Sequence, residues 1–155
     1  MTGETRERGL IDTNVVIHLA ALRPAQLPDE MVISSVTLAE LSAGPHHTND
    51  AVERARRTSV LQHAEATFEP LPFDAEAARA FGLVSAAVLA RGRTPRRRLA
   101  DLMIASIAIV NRLPLYTTNP DDFVGLEGLI TLRTVERPVR QPRAESSPGR
   151  PGWWS

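Results

Sequence analysis

Short apolar runs alternate with longer stretches of helical period along this chain, and that pattern predicts most of its elements. "GLI" runs straight into Asp12, and apolar positions resume in "TNVVIHLA", so residues 10–12 read as a strand and 13–22 as a helix. "MVIS" (31–34) is a second strand. Ser35 stands where a cap for the helix "VTLAELSAG" belongs, and Gly44-Pro45 stops that helix. Residues 50–64 are amphipathic, with Val52, Ala55, Val60 and Leu61 on the apolar side and Arg54, Arg56 and Arg57 largely outside. "FEPLPF" holds a third strand at 69–71. Asp74 then caps an alanine-rich helix, 75–91, that Gly92 ends. "RTPRRR" reads as a loop before the nearly all-apolar helix "LADLMIASIAIVNR". Residues 115–117 and 130–135 are the fourth and fifth strands, with "NPDDF" a turn between them. Strands alternating with helices predict a parallel sheet of about five short strands, covered on both faces. The expected organisation is an N-terminal lead (1–8), a folded domain (9–136) and a Pro/Arg/Ser-rich tail (137–155) that is expected to be disordered.

Composition narrows the class only a little. At 155 residues, 43% hydrophobic and 23% charged, the chain has the make-up of one globular domain. It has no Cys, which excludes disulfides and thiolate metal sites and fits a reducing compartment. Its N-terminus is charged and no apolar run reaches membrane-spanning length, so a cytoplasmic location is expected and no membrane partner. The net charge of +0 favours no partner class. All 18 basic residues are Arg. A GC-rich genome explains that bias, although guanidinium groups also suit phosphate recognition.

Three carboxylates stand where burial should exclude them. Asp12 ends the first strand, at the edge where open parallel sheets bind ligands, although a helix N-cap explains it equally well. Glu40 lies inside "VTLAEL", between Ala39 and Leu41, and the dipole at a helix start is its bland explanation. Asp101 interrupts a helix that is apolar all round, where a lone carboxylate costs several kcal/mol unless paired or metal-bound. Pairing with the arginines at 96–98 competes with a metal there. Thr117, Asn119, Asp121 and Asp122 follow the fourth strand in a turn-forming context. In a parallel sheet with short connections these groups converge on one edge. An oxygen-only donor set suits a hard cation, Mg²⁺ or Mn²⁺, rather than Zn²⁺.

"LIDTNVVI", "SSVTLAEL" and "LADLMIASIAIVNRLPLYTTNPDDF", with the closing strand, together resemble PIN-domain ribonucleases, and among them the VapC-type toxins of bacterial toxin–antitoxin pairs. The resemblance spans about residues 9–136. It implies a three-layer α/β/α sandwich, Mg²⁺- or Mn²⁺-dependent cleavage of RNA, and neutralisation by a cognate antitoxin. By position the family's acids fall on Asp12, Glu40 and Asp101, and Thr13 matches the polar residue after the first of them. The fourth acid falls on Asp122, with Asn119 and Thr117 as supporting polar groups and Asp121 a turn residue. In-line attack of an activated water on the phosphodiester is the reaction expected.

Other residues carry weaker signals. Arg93, Arg96, Arg97 and Arg98 precede Asp101 and are candidates for gripping the RNA backbone, against a solvated loop. As a metal site His46-His47 would need a further ligand at helical spacing, which the sequence does not offer, and His18 reads as a surface or partly buried side chain. Trp153 and Trp154 in the tail suit a partner anchor less well than disorder. Apolar faces of the early helices suit an antitoxin segment or a second copy of the chain, and a homodimer is expected. A PIN nuclease of RNA processing without an antitoxin, and a non-catalytic acidic-pocket regulatory domain, are the alternatives. A phospho-receiver would want a Lys beside its pocket, and this chain has none.

Overall fold

The computed structural model describes residues 6–138, and the predicted tail beyond Pro138, with Trp153 and Trp154, lies outside the described residues. Four strands, β1 (Arg8–Ile11), β2 (Glu30–Val32), β3 (Leu115–Thr117) and β4 (Leu132–Thr134), form one sheet in the order β2-β1-β3-β4, every pairing parallel. The third predicted strand contributes a single parallel bridge, Leu71 to Ser34 just beyond β2. Pro70 and Pro72 flank it and remove donors, which keeps that edge short. Five α-helices complete the described fold: α1 (Thr13–His18), α2 (Ser35–Ala43), α3 (Ala51–Thr67), α4 (Ala75–Ala90) and α5 (Leu99–Val110).

Strand alternation splits the interior into two layers. Leu10, Val32 and Leu115 pack against α4 and α5, on Ala77, Val84, Val88, Leu102, Ile104, Ala105, Ile107 and Ala108. Ile11, Ile33 and Tyr116 face the other way, onto α1, α2 and α3, through Val15, Val16, Leu41 and Ala64. The result is the expected α/β/α sandwich. The strands are only three or four residues long, so burial on both faces supplies the pairing strength that length does not.

The structure differs from the pattern at several places. Ser34, not Ser35, caps α2, its Oγ accepting from Thr37 N at 3.0 Å. Ser35 Oγ instead accepts from Phe73 N. The first helix ends at His18 and continues as a 3-10 turn, Leu19–Ala21. "PRRR" is a 3-10 turn, Pro95–Arg98, rather than open loop. Along α3 the inward stripe is Arg57, Val60, Leu61 and Ala64, at i, i+3, i+4 and i+7, while Val52 and Ala55 are exposed. Arg57 is buried because its Nη1 donates to Gly44 O at 2.9 Å and its Nε to Glu53 at 3.0 Å. A carbonyl at the end of α2 therefore outweighs the apolar pattern there.

Gly9 and Tyr116 lock β1 to β3. The Tyr116 ring lies across Gly9, where any Cβ would run into it, and its hydroxyl reaches Glu7 Oε1. Glu7 also accepts from Arg133 Nε at 3.3 Å, so the residues just before the predicted domain start tie β1 to β4. Gly9→Ala is expected to destabilise the domain by about 1–3 kcal/mol through overpacking against a rigid ring. Urea denaturation checks this, as a lower midpoint at unchanged slope.

Candidate active site

The carboxyl ends of β1 and β3 deliver the first components. Asp12 follows Ile11 directly and caps α1, accepting from Val15 N at 3.0 Å through Oδ1. It is 4% exposed. Thr117, the last residue of β3, donates a second hydrogen bond to the Asp12 carboxylate, and its Oγ1 accepts from Asn119 N at 3.0 Å. The cap and the site are one role: the bonds that start α1 also fix the carboxylate at the sheet edge.

Glu40 comes from the second turn of α2, past the reach of the helix-start dipole, which removes its bland explanation. It is half-buried, and Thr13 Oγ1 holds its Oε1 at 2.7 Å. Asp101 is in the first turn of α5, half-buried, on a helix with no side-chain cap. Asp122 comes from the 3-10 turn Pro120–Phe123. Four acids from four separate elements thus share one edge, close enough that their charges act on one another.

That repulsion shows in the acid strengths. Burial pushes Asp101 up to about 7, and the charges of Asp122, Glu40 and Asp12 add to the rise while Arg98 opposes it. Burial likewise pushes Asp12 up to about 6, against the bonds from Thr117 and Val15. Glu40 is raised by burial and partly relieved by Thr13. Like charges held together by a fold at the expense of stability are a recurrent mark of functional sites.

The arginines divide. Arg98 turns to the acids, its Nη1 3.3 Å from Asp122 Oδ1 and donating to Asp121 O at 2.6 Å. Arg93 reaches the same carbonyl at 3.5 Å, and Arg96 is exposed. The side chain of Arg97 lies outside the described set. Arg137 donates to Asn119 Oδ1 at 2.6 Å, a contact at the rim that the sequence did not suggest. His46 and His47 are exposed in a 3-10 turn.

The donor set fits a hard cation. Among the described residues no three acids or imidazoles are drawn tightly enough to wrap an ion alone. Magnesium commonly takes one or two carboxylates and keeps several waters, so an acid cluster without a closed cage suits it. A cation would also reverse the sign of the local field that now raises Asp12 and Asp101.

Comparison with known proteins bears on the family and the fold. A PIN domain family model matches residues 9–128. Ribonuclease VapC5 of Mycobacterium tuberculosis is 34% identical over 134 residues, which cover 84% of this chain and 96% of that protein. The crystal structure of VapBC-5, a toxin–antitoxin family member from the same organism, aligns with a TM-score of 0.71 at 35% identity, covering 84% of this chain and 98% of that one. VapBC2 from Rickettsia felis, bound to a DNA fragment from their promoter, aligns at 0.64 and 21% identity over 83% of this chain and 99% of that one, a likeness of fold.

In the folded state Asp12 and Asp101 hold their protons more tightly than in the unfolded chain, where an aspartate titrates near 3.8. Without divalent cations, stability is therefore expected to fall as pH rises from about 4 to about 7 and to level off above that. Asp101→Asn should raise the melting midpoint at pH 8 by at least ~3 °C, the response to about 1 kcal/mol in a domain of this size. It should change little at low pH, and thermal melts in EDTA across the range decide the matter.

Proposed function

This chain belongs to the PIN domain family, and on that premise we propose that it is a metal-dependent endoribonuclease, the toxin of a toxin–antitoxin pair. The observation that carries this reading is the convergence of Asp12, Glu40, Asp101 and Asp122 on one sheet edge, where burial raises the pKa of Asp12, Glu40 and Asp101 and neighbouring carboxylates add to the rise at Asp12 and Asp101.

In this reading Asp12 and Asp101 are the main ligands of Mg²⁺ or Mn²⁺, with Glu40 and Asp122 completing the site. When bound, the cation lowers the pKa of a coordinated water and offsets charge on a phosphoryl oxygen. The chain's own residues do the positioning. Val15 N and Thr117 fix the Asp12 carboxylate, Thr13 fixes Glu40, and Arg137 holds Asn119 at the rim. Arg93, Arg96, Arg97 and Arg98 are assigned to the RNA backbone beside α5. Exposed Leu83, Leu89 and Leu99 are apolar surface available to a cognate antitoxin or to a second copy in a homodimer. No helix among the described residues is long and apolar enough to cross a membrane, and the cytoplasm is the proposed location.

The family resemblance to ribonuclease VapC5 favours the toxin over a processing nuclease without an antitoxin. Incubation with total cellular RNA, in Mg²⁺, Mn²⁺ or EDTA, tests the activity. Discrete new RNA ends should require metal, and Asp12→Asn and Asp101→Asn should each reduce cleavage by about 10²-fold or more. Cleavage that survives both substitutions, or survives EDTA, would overturn the assignment. Replacing Arg93 and Arg96 by Gln should weaken RNA binding and flatten its dependence on log salt by roughly 0.7 for each phosphate no longer neutralised.

A further inference from the structure

Behind Glu40 runs a chain of three buried hydroxyls, of which the proposed chemistry uses only the first, Thr13. Thr13 Oγ1 lies 2.7 Å from Glu40 Oε1 and 3.0 Å from Thr37 Oγ1. Thr37 Oγ1 in turn lies 3.2 Å from Ser34 Oγ. Ser34 and Thr37 are 0% exposed and Thr13 is 8% exposed, so bulk water does not reorient them. Thr37 and Glu40 are one helical turn apart on α2, while Thr13 opens α1. The hydroxyls therefore join the starts of the two helices that carry Asp12 and Glu40.

Each hydroxyl has one proton, and a carboxylate can only accept. The 2.7 Å contact commits the Thr13 proton to Glu40. Thr13 must then accept at its 3.0 Å contact, which commits the Thr37 proton to Thr13. Ser34 donates in turn to Thr37 and accepts from Thr37 N. One end of the chain sets the direction of every bond, and buried bonds aligned in one sense strengthen each other.

We propose that Thr37 is a positioning residue that, oriented by Ser34, keeps the Thr13 proton on Glu40 Oε1 and so leaves Oε2 to the ion or its water. The role at an ion rests on the metal-nuclease reading above. The relay itself has a signature that needs neither metal nor RNA. Ser34 and Thr37 touch no reacting atom in this scheme. They act through Thr13.

The test uses the full chain and two variants, Thr37→Val, which keeps shape and removes the hydroxyl, and Thr37→Ser, which restores it. In metal-free protein, proton NMR should detect slowly exchanging hydroxyl protons of Thr13 and Thr37. The Thr13 signal should be lost to fast exchange in Thr37→Val and recovered in Thr37→Ser. Mn²⁺ affinity, measured by titration calorimetry, should fall about 10-fold or more in Thr37→Val, as is usual when a ligand's hydrogen-bonding support is removed. Thr37→Ser should restore it, and Thr37→Val should cost nothing further in a Glu40→Gln background. An unprotected Thr13 hydroxyl in the parent chain would overturn the relay. Equal Mn²⁺ affinity in all three chains, or a loss that Thr37→Ser does not recover, would overturn its positioning role. A protected hydroxyl in a chain that binds no Mn²⁺ would overturn the metal reading, and the role at the ion with it. Should Thr37→Val fail to fold, Thr37→Ala paired with Thr37→Ser reads the same contrast.

Discussion

β1 is hydrogen-bonded in parallel on both sides and buried on both faces, and the position of every group at the acidic edge depends on it. A slip of one residue would carry Asp12 into the pairing or move Gly9 out from under the Tyr116 ring, and would set Leu10 and Ile11 each in the core shaped for the other. Because β1 cannot slide, Asp12 emerges at a fixed height. The parallel partner β3 brings Thr117 out beside it. Tyr116 laid over Gly9, and held by Glu7, adds a side-chain lock to the same pairing.

The cost of this arrangement falls on the acids. A parallel sheet sends all strand ends the same way, and the helices that follow begin at that edge too, so polar groups at those positions crowd together. Here they are carboxylates, and burial raises Asp12, Glu40 and Asp101 together. Arg98 and the hydroxyls of Thr13 and Thr117 offset part of the repulsion. A fold selected for stability alone would replace one of the acids with an amide. In the proposed function a cation supplies the counter-charge that lets all four remain.

Much of this is legible in the chain. Periods of 2 and 3.6 place β1, β2, β3, α2, α4 and α5 within a few residues, because each buries a face and the core enforces its period. Asp101 stands out in an apolar helix, and Asp12 at the end of an apolar run. The points of difference are local and share a cause. Charge places Arg57 outside, but the carbonyl of Gly44 meets it at the end of another helix. Ser35 has the chemistry of a cap for α2, yet it is Ser34 whose extended backbone allows the bond to Thr37 N.

By itself the sequence determined the α/β alternation, the parallel sheet and the acids that disobey the hydrophobic pattern, since each is a property of near neighbours or of period. Only tertiary structure decided which groups meet. Thr13 and Glu40 are 27 positions apart, and Arg137 and Asn119 are 18 apart. The turn of Arg98 toward Asp122 and the hydroxyl chain behind Glu40 depend on how α1, α2 and α5 pack around the sheet edge. A hydrogen bond needs its partners within a few tenths of an ångström. No periodicity along a chain carries that precision; the packed core does.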